Sequence, residues 1–328
     1  MAEPTEPGAP EIKATPATTP WKLALKIIFS AALIYLIIRL VDVGEIARVF
    51  QQANWTLLAG SFLLFAISQV LRAVRWHLLI AAHRQDITLP ATINALFVGL
   101  FFNMFLPAEV GGDVVRGLWL DKNVGSRSAT FASVLVDRLM GMLSMSLMAF
   151  IAIIAGAGQM GGATILMVVG VAATLLLFTA AIASRRIAGF FIGLPLIPRR
   201  FDLAARLERF SEAVRLYRRR GPVIARVIAW SFIFQFAVYL SYYFLAQALG
   251  LACPLWSFFA FIPLITIISM FPASLNGIGA REAGYVLFFR EVGLGATQAT
   301  SLSLASYAFL VAVSLLGGLI YLLNRRST

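Results

Sequence analysis

Apolar residues run along this chain in long blocks separated by short polar breaks. The blocks fall at 21–41, 55–80, 91–106, 128–157, 162–183, 224–250, 255–271 and 298–323. A helix needs about 20 residues to cross a hydrocarbon core about 30 Å thick, at a rise of about 1.5 Å per residue. Six blocks reach that length and predict full transmembrane helices. The other two, 91–106 and 255–271, count 16 and 17 residues. Each is followed by a glycine-rich break and a second arm too short to cross alone, "DVVRGLWL" and "AREAGYVLFF". That pattern predicts two helical hairpins.

Lys and Arg set the orientation, because they are retained on the cytoplasmic side. The basic loop 184–223 carries ten arginines, from Arg185 to Arg220, and is placed in the cytoplasm. Arg325 and Arg326 put the C-terminus there, and Lys22 and Lys26 do the same for the N-terminus. Counting crossings outward from that loop makes 88–120 begin and end inside and 255–290 begin and end outside. The prediction is an all-α polytopic membrane protein. It has about six full transmembrane helices plus two opposed re-entrant helical hairpins that form an inverted repeat.

Composition agrees. Of 328 residues, 60% are hydrophobic and 13% charged, where a soluble domain has about 25% charged residues. The net charge of +12 suits loops facing anionic lipid, and no nucleic-acid partner is expected. Cys253 is the single cysteine, so the chain has no internal disulfide. Residues 1–20, rich in Pro, Thr and Glu, read as a disordered tail without the character of a secretory signal. Residues 21–183 form a first membrane half and 224–328 a second. Within loop 184–223, Leu203, Leu207, Phe210, Val214 and Tyr217 share one helical face. They predict an amphipathic helix on the anionic inner leaflet, or one packed on the bundle.

The two hairpin turns match each other. "FLPAEVGGDVVRG" (105–117) aligns with "MFPASLNGIGARE" (270–282) at a constant offset of 165, pairing Pro107 with Pro272, Gly112 with Gly277 and Arg116 with Arg281. Irregular backbone at membrane depth is tolerated where it lines a cavity, and paired broken helices mark transporters. Gly111, Gly112, Gly277 and Gly279 let the chain turn and approach a ligand. Free N–H groups at the start of each second arm, with Arg116 and Arg281, suit a phosphate.

Ionisable groups at membrane depth are expensive and default to a functional role. Glu109 and Asp113 lie at the first turn, Glu282 at the second, and Asp137 and Arg138 inside 128–157. Asn103 and Asn276 are further candidates for polar lining. Bland roles stand beside these: Asp113 as a helix cap, and Asp137 and Arg138 as structural pairs with different partners. Arg72 and Arg75 either serve the site or snorkel to the cytoplasmic interface. No ATP-binding loop, metal motif or nucleophile elbow occurs, so neither cofactor nor metal nor enzyme activity is expected.

"RAVRWHLLI" (72–80), "NMFLPAEVGGDVVRGLWL" (103–120), "ASVLVDRLMG" (132–141) and "FPASLNGIGAREAGYVLF" (271–288) together resemble the flippase-like membrane domain of lysylphosphatidylglycerol synthases. In those synthases the domain moves an aminoacylated phospholipid across the membrane, while a separate soluble domain makes the lipid. Relatives are also associated with polyprenyl-linked glycans and hopanoid-related lipids. The resemblance implies translocation without synthesis, since the chain ends at Thr328. It also implies polar motif residues at Asn103, Glu109, Asp113, Arg116, Asp137, Arg138, Asn276, Arg281 and Glu282.

The expectation is a lipid translocase of the bacterial plasma membrane, carrying a phosphate-bearing lipid in a cavity between the hairpins. Its partners would be that lipid and anionic inner-leaflet lipid at the basic loop; a homo-oligomer stays open. The alternatives are a membrane enzyme or accessory subunit of lipid-linked glycan assembly, and a small-molecule or ion secondary transporter.

Overall fold

A computed structural model describes residues 43–83, 86–105, 110–121, 127–156, 158, 160–183, 217, 220–270 and 277–325. The tail 1–20, the first apolar block 21–41 and nearly all of the basic loop with its amphipathic face lie outside the described residues. Those described form ten α-helices and one short 3-10 turn, with no strand among them.

The helices are α1 (Val43–Gln51), α2 (Trp55–Ala81), α3 (Leu89–Asn103), α4 (Val110–Asp121), α5 (Arg127–Gly156), α6 (Gly162–Ala183), α7 (Gly221–Ala248), α8 (Leu255–Met270), α9 (Ala280–Phe289) and α10 (Ala296–Arg325). Four of them, α2, α5, α7 and α10, are long and apolar enough to cross a membrane. Their ends follow local chemistry. Asn54 caps α2, its side-chain oxygen accepting from the Leu57 N–H at 3.1 Å. Thr88 caps α3, and Pro90 sits in the first turn, where a missing N–H costs nothing. The lipid-facing sides carry bare aliphatic residues: Leu63, Ile154, Leu166 and Leu319 are all more than half exposed. Facing hydrocarbon, that exposure is the stable arrangement, and it fits a polytopic membrane protein.

The short helices form two antiparallel hairpins. In α3–α4, Gly99 lies beside Arg116 while Asn103, further along α3, meets Gly112, earlier in α4. In α8–α9, Phe258 packs edge-on against Phe289 at 5.1 Å, and Ile265 lies against Gly284. The two are zipped differently. Gly99 and Gly112 bring the backbones of the first hairpin together, and a Cβ on Gly99 would sit 2.7 Å from the Gly112 carbonyl oxygen. The second is held by aromatic contacts, including a Phe261–Phe288 stack at 5.8 Å.

Packing repeats across the two halves. Helix α2 touches α3, α4 pairs with α3 and leans on α5; in the same way α7 touches α8, and α9 pairs with α8 and leans on α10. The halves then exchange contacts: α3 packs on α10, and α8 on α5. The corresponding helices α2 and α7 run antiparallel. The Asn54 N–H at the start of α2 donates to the Ala248 carbonyl at the end of α7, and Phe65 stacks on Tyr242. Equivalent helices in opposite directions are what an inverted repeat requires.

Candidate functional site

Both hairpins and all four long helices surround one cavity of about 350 Å³. Asn103 and Arg116 reach it from the first hairpin and Arg281 from the second, while α2 contributes Arg72 and Arg75 and α5 contributes Asp137 and Arg138.

Asp137 is the hub. It is 1% exposed and accepts from Arg75 through Nε and Nη2, each at 2.7 Å, and from Arg116 Nη2 at 3.1 Å. Arg116 Nη2 also lies 3.0 Å from Asp113, one turn back on α4. The other Asp113 oxygen takes Nε and Nη2 of Arg138 at 2.8 Å. So the neighbours Asp137 and Arg138, about 100° apart on a helix, part to different partners. The Asp113 carboxylate is used up in ion pairs. Arg75, with a buried guanidinium, does not snorkel, because Asp137 and, at 3.4 Å, the Ser231 hydroxyl hold it inside.

Arg116 has more donors than the protein uses. Its plane lies 4.5 Å over the Trp76 ring, and the Trp76 indole N–H is anchored on Ser133 at 3.1 Å. Nε and Nη1 of Arg116 are buried with no hydrogen-bond partner among the described residues. Burying two charged donors without an acceptor is costly. Arg72 lines the same cavity and makes no ion pair among the described residues.

The second half holds the related but neutralised arrangement. Arg281 lies against its neighbour Glu282, with Nη2 to Oε1 at 2.5 Å, and stacks 4.0 Å over Tyr307. Its Nε is 3.4 Å from the Ser303 hydroxyl. Glu282 also accepts the Gly279 N–H at 2.6 Å and so closes the start of α9.

That last contact corrects one expectation. The Gly279 N–H goes to Glu282, and the Gly112 N–H goes to the Asn103 side chain at 2.6 Å. These two amides are satisfied within the hairpins and are not free for a ligand. The glycines keep their geometric reason. Gly277 and Gly279 have φ of 74° and 84°, and a Cβ on Gly112 would lie 2.5 Å from the Asn103 side chain. Gly111 sits in the first turn of α4. Glu109 and Asn276 lie outside the described residues, as do Pro107 and Pro272.

The family model of the lysylphosphatidylglycerol synthase TM region matches residues 23–318. The chain belongs to this family. It is 22% identical over 331 residues to a UPF0104 membrane protein of Pyrococcus horikoshii, covering 93% of this chain and 98% of that one. A UPF0104 membrane protein of Methanothermobacter thermautotrophicus is 23% identical, over 83% of this chain and 86% of its own length. In this member of the family, some residues at the site carried no signal in sequence. Trp76 and Tyr307 matter as surfaces beneath Arg116 and Arg281, and an aromatic residue in an apolar run looks like any other. Gln69 and Gln235, polar residues inside apolar blocks, were detectable by that contrast and line the cavity.

Proposed function

We propose that this protein is a lipid translocase that moves a phosphate-bearing lipid across the plasma membrane by alternating access, without covalent chemistry of its own. The observation that supports the reading is buried Arg116, with two guanidinium donors that lack a partner among the described residues, beside Arg72, which makes no ion pair among them, at a cavity lined by both hairpins. A phosphate oxygen supplies the missing acceptors, and a planar guanidinium grips it bidentately. The lipid tails stay among the bare aliphatic faces outside while the head group passes through the cavity.

In this reading the hairpins are re-entrant from opposite faces, and both chain ends are cytoplasmic. The inverted packing supplies two equivalent ways to close. Opening between α3 and α10 on one side trades against opening between α8 and α5 on the other. The asymmetry of charge, an Asp137 network in one half and a neutral Arg281–Glu282 pair in the other, sets which closed form binds the head group better.

The test is reconstitution into liposomes with fluorescent phospholipids in one leaflet, following their appearance in the other. Wild type accelerates exchange, and Arg116→Ala does not. Exchange no faster than in protein-free vesicles, across anionic and zwitterionic lipids alike, sinks the proposal.

A further inference from the structure

The cavity also discriminates between head groups. We propose, resting on the translocase reading, that its ligand is an anion bearing no positive charge: a phosphodiester whose remaining polar groups are hydroxyls, and not an aminoacylated lipid. Five arginines line the cavity (Arg72, Arg75, Arg116, Arg138 and Arg281), and Asp137 is the one described carboxylate among the lining residues. Asp113 and Glu282 stand behind them, each already engaged. The described charges therefore leave an excess of two cations, and Glu109 would still leave one.

Among the described residues, the two kinds of surface that bind an ammonium group are largely taken. The first is a free carboxylate. Asp137 carries three charged hydrogen bonds from two guanidiniums, Asp113 pairs with Arg116 and Arg138, and Glu282 is shared between Arg281 and the Gly279 N–H. The second is an open aromatic face, which attracts cations through its quadrupole. Here the protein's own arginines occupy those faces: Arg116 over Trp76, Arg281 over Tyr307, and Arg75 5.4 Å over Phe234. Tyr285 stacks on Phe289 and Tyr242 on Phe65.

Neutral hydrogen bonding is what remains. Among the described residues, the Tyr239 hydroxyl and the Ser314 hydroxyl are buried without a partner, and both residues line the cavity. Each can both donate and accept, as the hydroxyls of a head group do.

The deciding measurement is binding of short-chain lipids to the purified full-length protein in neutral detergent. Phosphatidylglycerol and lysylphosphatidylglycerol of equal chain length share backbone, phosphate and tails, and differ by the lysyl ester that turns the net charge from negative to positive. Phosphatidylglycerol is expected to bind tenfold tighter or more. Arg72→Gln should narrow that ratio at unchanged thermal stability, and Arg226→Gln, on the exposed end of α7, should leave it alone. Equal affinities, tighter binding of the lysyl lipid, or no binding of either lipid overturns the inference. Vesicle exchange of the same two lipids separates the two claims. A binding preference without any exchange overturns the translocase reading alone, and rapid exchange of the lysyl lipid overturns the head-group inference alone.

Discussion

Arg75 and Asp137, 62 residues apart, meet through two N–H groups on one carboxylate oxygen, both at 2.7 Å, with neither side chain more than 3% exposed. Arg116 binds the other oxygen, so one aspartate compensates two guanidiniums and joins α2, α4 and α5. Removing one partner of a buried ion pair leaves an uncompensated charge, at about 3–5 kcal/mol. Asp137→Asn should therefore lower the melting temperature in detergent strongly, and Arg75→Leu with Asp137→Leu should recover part of the loss. A double variant as unstable as the single one would show that the carboxylate matters through Arg116 alone.

Gly317 and Gly318 on α10 face α3 at a distance that admits no side chain. A Cβ on Gly317 would overlap the Phe97 carbonyl, whereas one on Gly318 meets the edge of the Phe101 ring at 2.6 Å. Backbone cannot yield and a ring can rotate, so Gly317→Ala should be the more damaging substitution. Gly170, exposed on α6 with nothing within 4 Å, is the control. Gly170→Ala should gain up to about 1 kcal/mol from helix propensity. Thermal unfolding of the three variants in one detergent should rank Gly317→Ala lowest and Gly170→Ala at or above wild type.

Much of this architecture could be read before any coordinates. Blocks 55–80, 128–157, 224–250 and 298–323 correspond to α2, α5, α7 and α10 within a few residues, because the bilayer dictates both the length and the polarity of a span. The hairpins α3–α4 and α8–α9 were legible from two runs too short to cross, each followed by a glycine-rich break. What escaped is what depends on long-range contacts. Arg75 sits where either snorkelling or burial was reasonable, and Asp137, 62 positions away, decides it. The amides of Gly112 and Gly279 looked open because nothing in the motif says that Asn103 and Glu282 fold back onto them. Trp76 and Tyr307 had no pattern to distinguish them from packing residues.

Cys253, between α7 and α8, is 6% exposed, and burial pushes its thiol from 9.0 up to about 12. The thiolate is the reacting species, so at pH 8 the folded protein should label far more slowly with a maleimide than the unfolded chain. The sign for stability follows. Below about pH 9 the thiol is protonated folded and unfolded alike, and its burial adds no pH dependence. Between about 9 and 12 the unfolded chain loses the proton first, so stability falls as pH rises. Cys253→Ala should label not at all and should flatten the alkaline decline. Fast labelling of the native protein at pH 8 would contradict the burial.

Arg116 combines two duties that substitution can separate. Its Nη2 holds Asp113 and Asp137, and its Nε and Nη1 are buried over the Trp76 ring with no partner among the described residues. Lysine preserves the charge and reaches one acid at a time, but it supplies no planar fork and stacks poorly. Arg116→Lys should therefore keep most of the thermal stability that Arg116→Ala loses, while lipid exchange in vesicles falls about 10- to 100-fold, the size expected for one or two charge-assisted hydrogen bonds. A structural role alone predicts the opposite pattern, with exchange tracking stability across Ala, Lys and wild type. Measuring melting temperature and exchange rate on the same preparations distinguishes them. Full exchange activity in Arg116→Lys would remove the bidentate grip from the mechanism and leave a point charge in its place.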